Sequence, residues 1–294
     1  MILRKRTPRW APTAAATGWG ESTFAELAWD RSRGAAARWA VAGSLLGALI
    51  GVVVFAPAAW LAQVVSSASG ERVLLADARG TLWSGSAVLV LTGGPDSRDA
   101  SALPGRLGWT LGWRGTSFDL LAAHDCCLNG TVAVRLRPGF GRMSASLLPT
   151  AGWVGQWPSA WLAGLGTPWN TLQLGGMARL VSPGMTVEAV QGRWRVDGRA
   201  ELELVNVSSR LSTLPTLGSY RLSVSGDAAN AGTAQLNLST LEGALQLSGT
   251  GSSGAGKLRF RGEARALAAD EAALSNLLNI IGRRDGARSV ISIG

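Results

Sequence analysis

The chain has 294 residues, a formal net charge of +9 and a single histidine. Seven basic residues stand against three acidic ones in the first 38 positions, and the other 21 basic and 16 acidic residues are scattered along the chain. Because nucleic-acid binding needs basic residues clustered in a patch or stripe, this charge pattern argues against a nucleic-acid partner.

The first predicted element is a membrane span. Residues 39–65 form an uncharged run of 27 residues, with Trp39 and Trp60 near its two ends. About 20 apolar residues are enough to cross ~30 Å of hydrocarbon as a helix, and tryptophan is common at membrane interfaces. The sequence therefore predicts a transmembrane helix over residues 39–65.

The basic residues before the span predict its orientation. Lysine and arginine close to a span favour the cytoplasmic side, so residues 1–38 are expected to be a cytoplasmic tail. Residues 66–294 would then lie in the periplasm, on a single-pass anchor in a bacterial inner membrane. A cleaved signal peptide is the alternative, but its basic region would be 38 residues long and its apolar run about twice the usual ~7–15 residues.

The region after the span is predicted to be mainly β, as a twisted antiparallel sheet. Apolar and polar residues alternate in several segments, which is typical of strands with one covered face. These segments are residues 131–137, 200–204, 234–238, 245–248 and 257–261. Residues 85–91 and 198–204 also share the pattern G-x-A-x-L-x-L, so residues 66–294 could be one domain or two related halves.

One or two short helices are expected within the sheet domain. Leu274, Leu277, Leu278 and Ile281 follow helical spacing in residues 270–283, with acidic residues at the start and Gly282 near the end. This pattern predicts a helix whose apolar stripe faces the core. A shorter helical turn is expected over residues 158–165.

The sequence HDCC at residues 124–127 is the only cluster of metal-ligating types. Neighbouring side chains on an extended segment point to opposite faces, so we expect no metal site. Adjacent Cys126 and Cys127 could form a disulfide in an oxidising compartment. Their Cα atoms would be only ~3.8 Å apart, which is below the usual range for a bridge, so two thiols are the favoured interpretation.

No catalytic or cofactor-binding residues are predicted. The chain has no G-x-S-x-G or Walker-type motif, and its acidic residues form no obvious catalytic pair. Residues 249–254 fit G-x-G-x-x-G, but no helix is expected after them to bind phosphate. A hairpin loop is the better interpretation, and a hydrolase that depends on His124 is the least favoured function.

Tryptophan is abundant after the span. Large core side chains are the favoured interpretation, and an apolar groove for a partner strand or a lipid is the alternative. The residues concerned are Trp83, Trp109, Trp113, Trp153, Trp157, Trp161, Trp169 and Trp194.

The order of several short motifs resembles the type II secretion system protein N family. The resemblance covers residues 38–283, although each motif alone is weak. The motifs are GTLWSG at residues 80–85, LGTP at 165–168 followed by Leu172, Pro215 with LGSYRL at 217–222, glycines and leucines between 240 and 251, FRGEA at 260–264 and the helix at 274–282.

This resemblance implies a non-enzymatic accessory subunit of the type II protein secretion apparatus. Its expected partners are the inner-membrane platform subunits and the outer-membrane secretin, with scaffolding between them as the expected role. Trp83, Gly85, Gly218 and Tyr220 are the candidate interaction surface, although turns and core packing beneath the sheet are the favoured explanation of these residues. The alternative function is a periplasmic lipid-handling protein with an apolar β-groove.

Overall fold

The computed structural model describes residues 19–190, 193–226, 233–254 and 257–294. The chain divides into two compact units, residues 1–55 and residues 56–294. Its helices are α1 (Trp19–Val54), α2 (Ala58–Ala68), α3 (Trp169–Leu172) and α4 (Glu271–Ile281), with a 3₁₀ helix at Ser159–Leu165.

Helix α1 contains the candidate membrane span. Within the described residues, Ala36–Val54 is the stretch of helix long and apolar enough to cross a membrane. Its large side chains are exposed, as at Trp39 (79%) and Leu45 (67%). A helix satisfies its backbone hydrogen bonds internally, which hydrocarbon requires. The predicted N-terminal apolar helix is therefore present, up to Val54.

The predicted end of this helix at residue 65 has to be corrected to Val54. Proline has no N–H to donate and disfavours helical backbone in the residue before it, and Pro57 is extended, with φ −70° and ψ 148°. The rest of the apolar run forms the separate helix α2, where Leu61 and Val65 pack against buried side chains of the sheet, among them Trp109. The second half of the run therefore belongs to the folded domain.

Residues 56–294 are built around one antiparallel sheet. In the described part of the chain its strands are β1 (Val73–Gly80), β2 (Ser84–Thr92), β3 (Ala100–Ala102), β4 (Leu107–Arg114), β5 (Ser117–His124), β6 (Thr131–Gly139), β7 (Arg142–Leu147), β8 (Trp153–Pro158), β9 (Leu174–Val190), β10 (Arg193–Ser209), β11 (Gly218–Gly226), β12 (Thr233–Glu242), β13 (Leu245–Gly254), β14 (Lys257–Ala266), β15 (Arg283–Asp285) and β16 (Arg288–Ile293).

Most strands pair with their neighbours in sequence. The order is β1-β2-β4-β5-β6-β7-β9-β10-β11-β12-β13-β14-β16-β15, with β3 beside β2 and β8 beside β9. The predicted alternating segments lie on β6, β10, β12, β13 and β14. The predicted fold class, a mainly β chain with an antiparallel sheet and few short helices, is confirmed.

In β10 to β14, apolar and polar residues alternate along each strand, so the two faces of the sheet differ in polarity. Leu202 lies opposite Leu222, and Leu222 lies opposite Leu238, so one face carries a row of leucines. The other face carries the charged pair Glu203 and Arg221. Because side chains alternate across a strand, this pattern gives the second half of the sheet one apolar face.

Helix α4 covers one end of that apolar face. Leu274, Leu277 and Leu278 are at most 1% exposed and pack with buried residues of the sheet, among them Leu217 and Ala264. Residues 270–283 were predicted to form a helix with its leucine stripe in the core, and this prediction is confirmed.

The G-x-G-x-x-G sequence is not a hairpin loop, contrary to the prediction. Residues 249–254 lie within β13 and pair with both β12 and β14. Glycine within a strand allows close approach by a neighbouring group, and here the ring of Phe260 lies against Gly249 and Gly251. The glycines therefore serve packing on the sheet.

The idea of two related halves stays a prediction. The two copies of G-x-A-x-L-x-L lie on β2 and β10. Each of these strands pairs antiparallel with the strand before it and with a later one. Most strands of an antiparallel sheet pair with two neighbours in this way, so the pairing does not establish a repeat.

Candidate functional site

The GTLWSG motif forms the tight connection between β1 and β2. Gly80 has φ +92°, a conformation that L-residues rarely adopt. The N–H of Thr81 donates to Ser84 O at 2.8 Å, and the N–H of Leu82 donates to Ala56 O at 2.8 Å. The motif thus ties the hairpin to the first residue of the folded domain.

Trp83 and Gly85 lie on this hairpin. The half-buried Trp83 ring is 6.5 Å from the ring of Phe118, measured between centroids. Gly85 lies beneath Trp109, because a Cβ at Gly85 would be 2.6 Å from the Trp109 ring. Trp109 Nε1 donates to Leu82 O at 3.2 Å. Gly85 is therefore required for packing, whereas Trp83 is partly accessible.

Gly218 and Tyr220 lie far from that hairpin, in the interior of the second half of the sheet. Tyr220 is 3% exposed, and its hydroxyl donates to Leu245 O at 3.0 Å. Burial raises the pKa of Tyr220, so the phenol stays neutral. Gly218 has φ +151° and leaves no room for a side chain beside Glu242 O. The structure therefore does not bring the four candidate residues together.

The leucine-rich face of the sheet carries an apolar cavity of about 520 Å³. It is bounded by β9 to β14, β16, α3, α4 and the 3₁₀ helix. Typical lining side chains are Leu202, Leu222, Leu236, Leu238, Phe260 and Leu277. The alternating leucines were predictable from the sequence, but the cavity that the sheet forms with α4 was not.

Three lining residues, Trp169, Ser209 and Tyr220, carry polar side-chain atoms, and both hydroxyl groups among them already have partners. Ser209 Oγ donates to Leu172 O at 2.6 Å. The Tyr220 hydroxyl donates to Leu245 O. Because these groups are satisfied within the protein, the cavity offers a ligand essentially hydrocarbon contacts.

The cavity is closed at one end and open at another. Leu277, on α4, is 1% exposed, whereas Leu258 and Ile293 are 42% and 52% exposed. All three residues line the cavity. A ligand would therefore enter past the start of β14 and the end of β16.

The HDCC sequence lies in a turn that follows β5, where the structure joins Cys126 and Cys127 in a disulfide. The expectation of two thiols is therefore wrong. That expectation rested on the short distance between adjacent Cα atoms, and the bridge forms with the Cα atoms 3.7 Å apart. Cys127 N–H donates to His124 O within a tight turn. The turn also gathers ligand atoms of His124, Cys126 and Cys127 within 4.8 Å of one another.

Within the described residues, His124, Cys126 and Cys127 are the group of side chains close enough together to hold a metal ion. Metal binding by cysteine requires thiolates, which the disulfide does not provide. His124 is 5% exposed, and its Nε2 has no hydrogen-bond partner among the described residues. Burial lowers the pKa of His124, which favours the neutral ring. In this form the cluster is a turn in which His124 and Cys127 are buried and Cys126 is exposed.

Carboxylates on the sheet surface are engaged with arginines. Asp119 accepts from Arg135 at 2.8 Å, and Glu203 accepts from Arg221 at 2.8 Å. The Arg135 guanidinium holds the pKa of Asp119 below its usual value. These pairs cross neighbouring strands, where opposite charges support strand pairing.

The tryptophans divide between core and surface. Trp109 is 5% exposed and belongs to the core, whereas Trp113 and Trp194 are 72% and 62% exposed. Trp169 lines the apolar cavity. Core packing, the favoured interpretation, therefore holds for Trp109.

Comparison with known proteins identifies the family. The family model for type II secretion system (T2SS) protein N matches residues 71–291. No curated protein and no solved structure matches the chain. The match extends from just before β1 into β16 and covers the cavity and both ends of the sheet. The chain therefore belongs to the type II secretion system protein N family.

Proposed function

We propose that this chain is a non-enzymatic accessory subunit of the type II secretion apparatus. In this proposal α1 anchors it in the bacterial inner membrane and the sheet domain lies in the periplasm, between the platform and the secretin. The family match over residues 71–291 carries the proposal. That family is a secretion component and is not an enzyme family.

The candidate span provides a surface for platform helices. Gly43, Gly47 and Gly51 recur every four residues, so they lie along one side of α1. A Cβ at any of them would meet nothing within 4 Å in this chain. Small residues on one side let membrane helices approach closely, which supports helix docking at this seam.

The sheet provides backbone groups for a partner strand. In the described part of the chain, β1 pairs with β2 alone, and residues 291–293 of β16 pair with β14 alone. Unpaired N–H and C=O groups at a sheet edge can accept an added strand. These two edges are the proposed sites for periplasmic partners.

Crosslinking in intact cells tests the proposal. The full chain, expressed at its native level, is crosslinked and purified, and copurifying proteins are identified by mass spectrometry. We expect platform subunits or the secretin to be recovered. Recovery of neither, from cells in which both are present and secretion is active, contradicts the scaffold.

Trp83 is half-buried and is the proposed contact residue tested first. Trp83 and Trp113 both contact Phe118, with ring centroids 6.5 and 5.1 Å away, so Trp113→Ala is a matched control for Trp83→Ala. If Trp83 contacts a partner, Trp83→Ala lowers secretion while the thermal unfolding temperature matches that of the control. If Trp83→Ala instead fails to fold, its role is packing.

A further inference from the structure

The scaffold role makes no use of the apolar cavity. We propose that the cavity binds an acyl chain of a membrane phospholipid, whose polar head remains in solvent. Its volume of about 520 Å³ falls within the ~300–1,000 Å³ that is usual for ligand sites. This inference gives the lipid-handling alternative a defined site.

The chemistry of the walls selects a hydrocarbon ligand. The lining side chains are apolar apart from the hydroxyl groups of Ser209 and Tyr220 and the indole N–H of Trp169. The two hydroxyl groups donate to the backbone oxygens of Leu172 and Leu245. A polar ligand group would lose its water without gaining a hydrogen bond. A hydrocarbon chain has no hydrogen bonds to lose in such a site and stays out of water there, as it does in a bilayer.

Glycines make room for the acyl chain by letting an aromatic ring lie against the sheet. A Cβ at Gly249, Gly251 or Gly262 would be 2.5 to 3.0 Å from ring atoms of Phe260. All three glycines are paired positions on β13 and β14. Because no side chain separates the ring from the backbone, Phe260 forms a flat apolar floor instead of filling the cavity.

A polypeptide segment is a poorer occupant than an acyl chain. The strands beneath the cavity already pair with neighbours on both sides, from β11 through β14. A bound peptide could therefore not join the ladder from this face, and its own N–H and C=O groups would be buried without partners. That burial costs several kcal/mol in a hydrocarbon environment.

The position of the sheet domain directly after the candidate span favours a membrane phospholipid as the source of the acyl chain. The candidate span ends at Val54, and the folded domain begins at Ala56. This short connection tethers the domain beside a bilayer, where phospholipid is the most abundant long-chain molecule. The open side at Leu258 and Ile293 would admit one chain while the head group stays outside.

Photolabelling of the full chain in cells tests this site. Cells are fed palmitic acid that carries a diazirine within its chain and a terminal alkyne, and they build this probe into phospholipid. After irradiation the protein is digested with trypsin, which releases residues 222–257 as one peptide because no lysine or arginine interrupts it. We expect this peptide to carry an adduct with the mass of an intact phospholipid.

Two variants on β12 provide a matched comparison. Leu236 lines the cavity, and Leu241 is 46% exposed outside it. The larger side chain of Leu236→Trp would take up cavity space and keep roughly two methylene groups of the acyl chain from being buried. We therefore expect this variant to lower the labelling of the peptide about tenfold. Leu241→Trp should leave the labelling unchanged. Thermal unfolding of both variants checks that they are folded.

Three results would overturn the assignment. The first is that, in the wild-type protein, the label is found on the peptide of the candidate span but not on residues 222–257. The second is equal labelling in folded Leu236→Trp and Leu241→Trp. The third is an adduct with the mass of a free fatty acid, which would exclude phospholipid as the source. Secretion is a separate readout, so none of these results decides the scaffold proposal.

Discussion

At the scale of single residues, His124 is unusual because it is a buried titratable group in a chain with no other histidine. It is 5% exposed, its Nδ1 accepts from the N–H of Cys126 at 3.4 Å, and its ring packs on Gly105. Burial lowers the pKa of His124 in the folded state, since charging the ring would leave a cation without water. The folded protein therefore takes up a proton at His124 less readily than the unfolded chain.

This difference predicts a pH dependence of stability. Because the folded pKa is the lower one, the unfolding free energy falls as pH drops below the ordinary value of about 6.5. Chemical denaturation of the full chain at pH 7.5, 6.5 and 5.5 should show this fall. His124→Asn retains an acceptor near Nδ1 but cannot titrate, so its stability should be nearly constant over that range. An equal fall in His124→Asn would assign the effect to other groups.

At the scale of elements, α4 closes the cavity with one face and meets solvent with the other. Leu274 is 0% exposed and Ile280 is 45% exposed on the same helix. We expect Leu274→Ala to lower the unfolding free energy by about 2–5 kcal/mol, as buried leucines do. Ile280→Ala should change it by about 0.5 kcal/mol or less. Denaturant unfolding of both variants checks this, and equal losses would contradict the burial of the helix.

A further prediction concerns the side of helix α1 that carries Gly43, Gly47 and Gly51. Gly47→Leu would hold a partner helix away, and we expect recovery of platform subunits to fall about fivefold, which corresponds to about 1 kcal/mol. Ala42→Leu adds similar bulk on another side of the helix and serves as the control. Both substitutions favour membrane insertion, so membrane fractions should contain both variants. Equal recovery with the two variants would place helix contact elsewhere.

At the scale of the whole molecule, the orientation of the chain can be tested directly. Alkaline phosphatase needs disulfides and so becomes active in the periplasm, not in the cytoplasm. We expect activity when it is fused after Gly294 and none when it is fused before Met1. The basic residues ahead of the span, seven against three acidic ones, are the physical reason. The opposite pattern of activity would place the sheet domain in the cytoplasm.

The helix boundaries show where reasoning from the sequence succeeds and where it fails. The stripe from Leu274 to Ile281 predicted α4, because spacing alone specifies which side of a helix is apolar. The run at residues 39–65 was equally apolar throughout, so composition gave no reason to divide it. Pro57 was the available signal, since proline disfavours helical backbone in the residue before it. Contacts of α2 with Leu75 and Trp109 decide that the second piece joins the domain.

The candidate sites show the same limit. Cys126 and Cys127 were predicted to be thiols because adjacent Cα atoms lie close together, and the structure joins them in a disulfide with their Cα atoms 3.7 Å apart. Gly218 and Tyr220 were chosen as motif residues, and packing against Leu245 and Glu242 placed them in the interior. A motif records which residues a family shares, but burial depends on what the rest of the chain places on top of them.

The sequence by itself determined the class of this protein: an apolar helix, a mainly antiparallel β-domain and the motif order of its family. These features depend on local periodicity and composition, which can be read along the chain. The tertiary structure decided that the second part of the apolar run joins the folded domain as α2, and that α4 and the sheet bound an apolar cavity of about 520 Å³. Enclosure depends on how distant elements pack together, and alternation along one strand specifies a face without specifying what covers it.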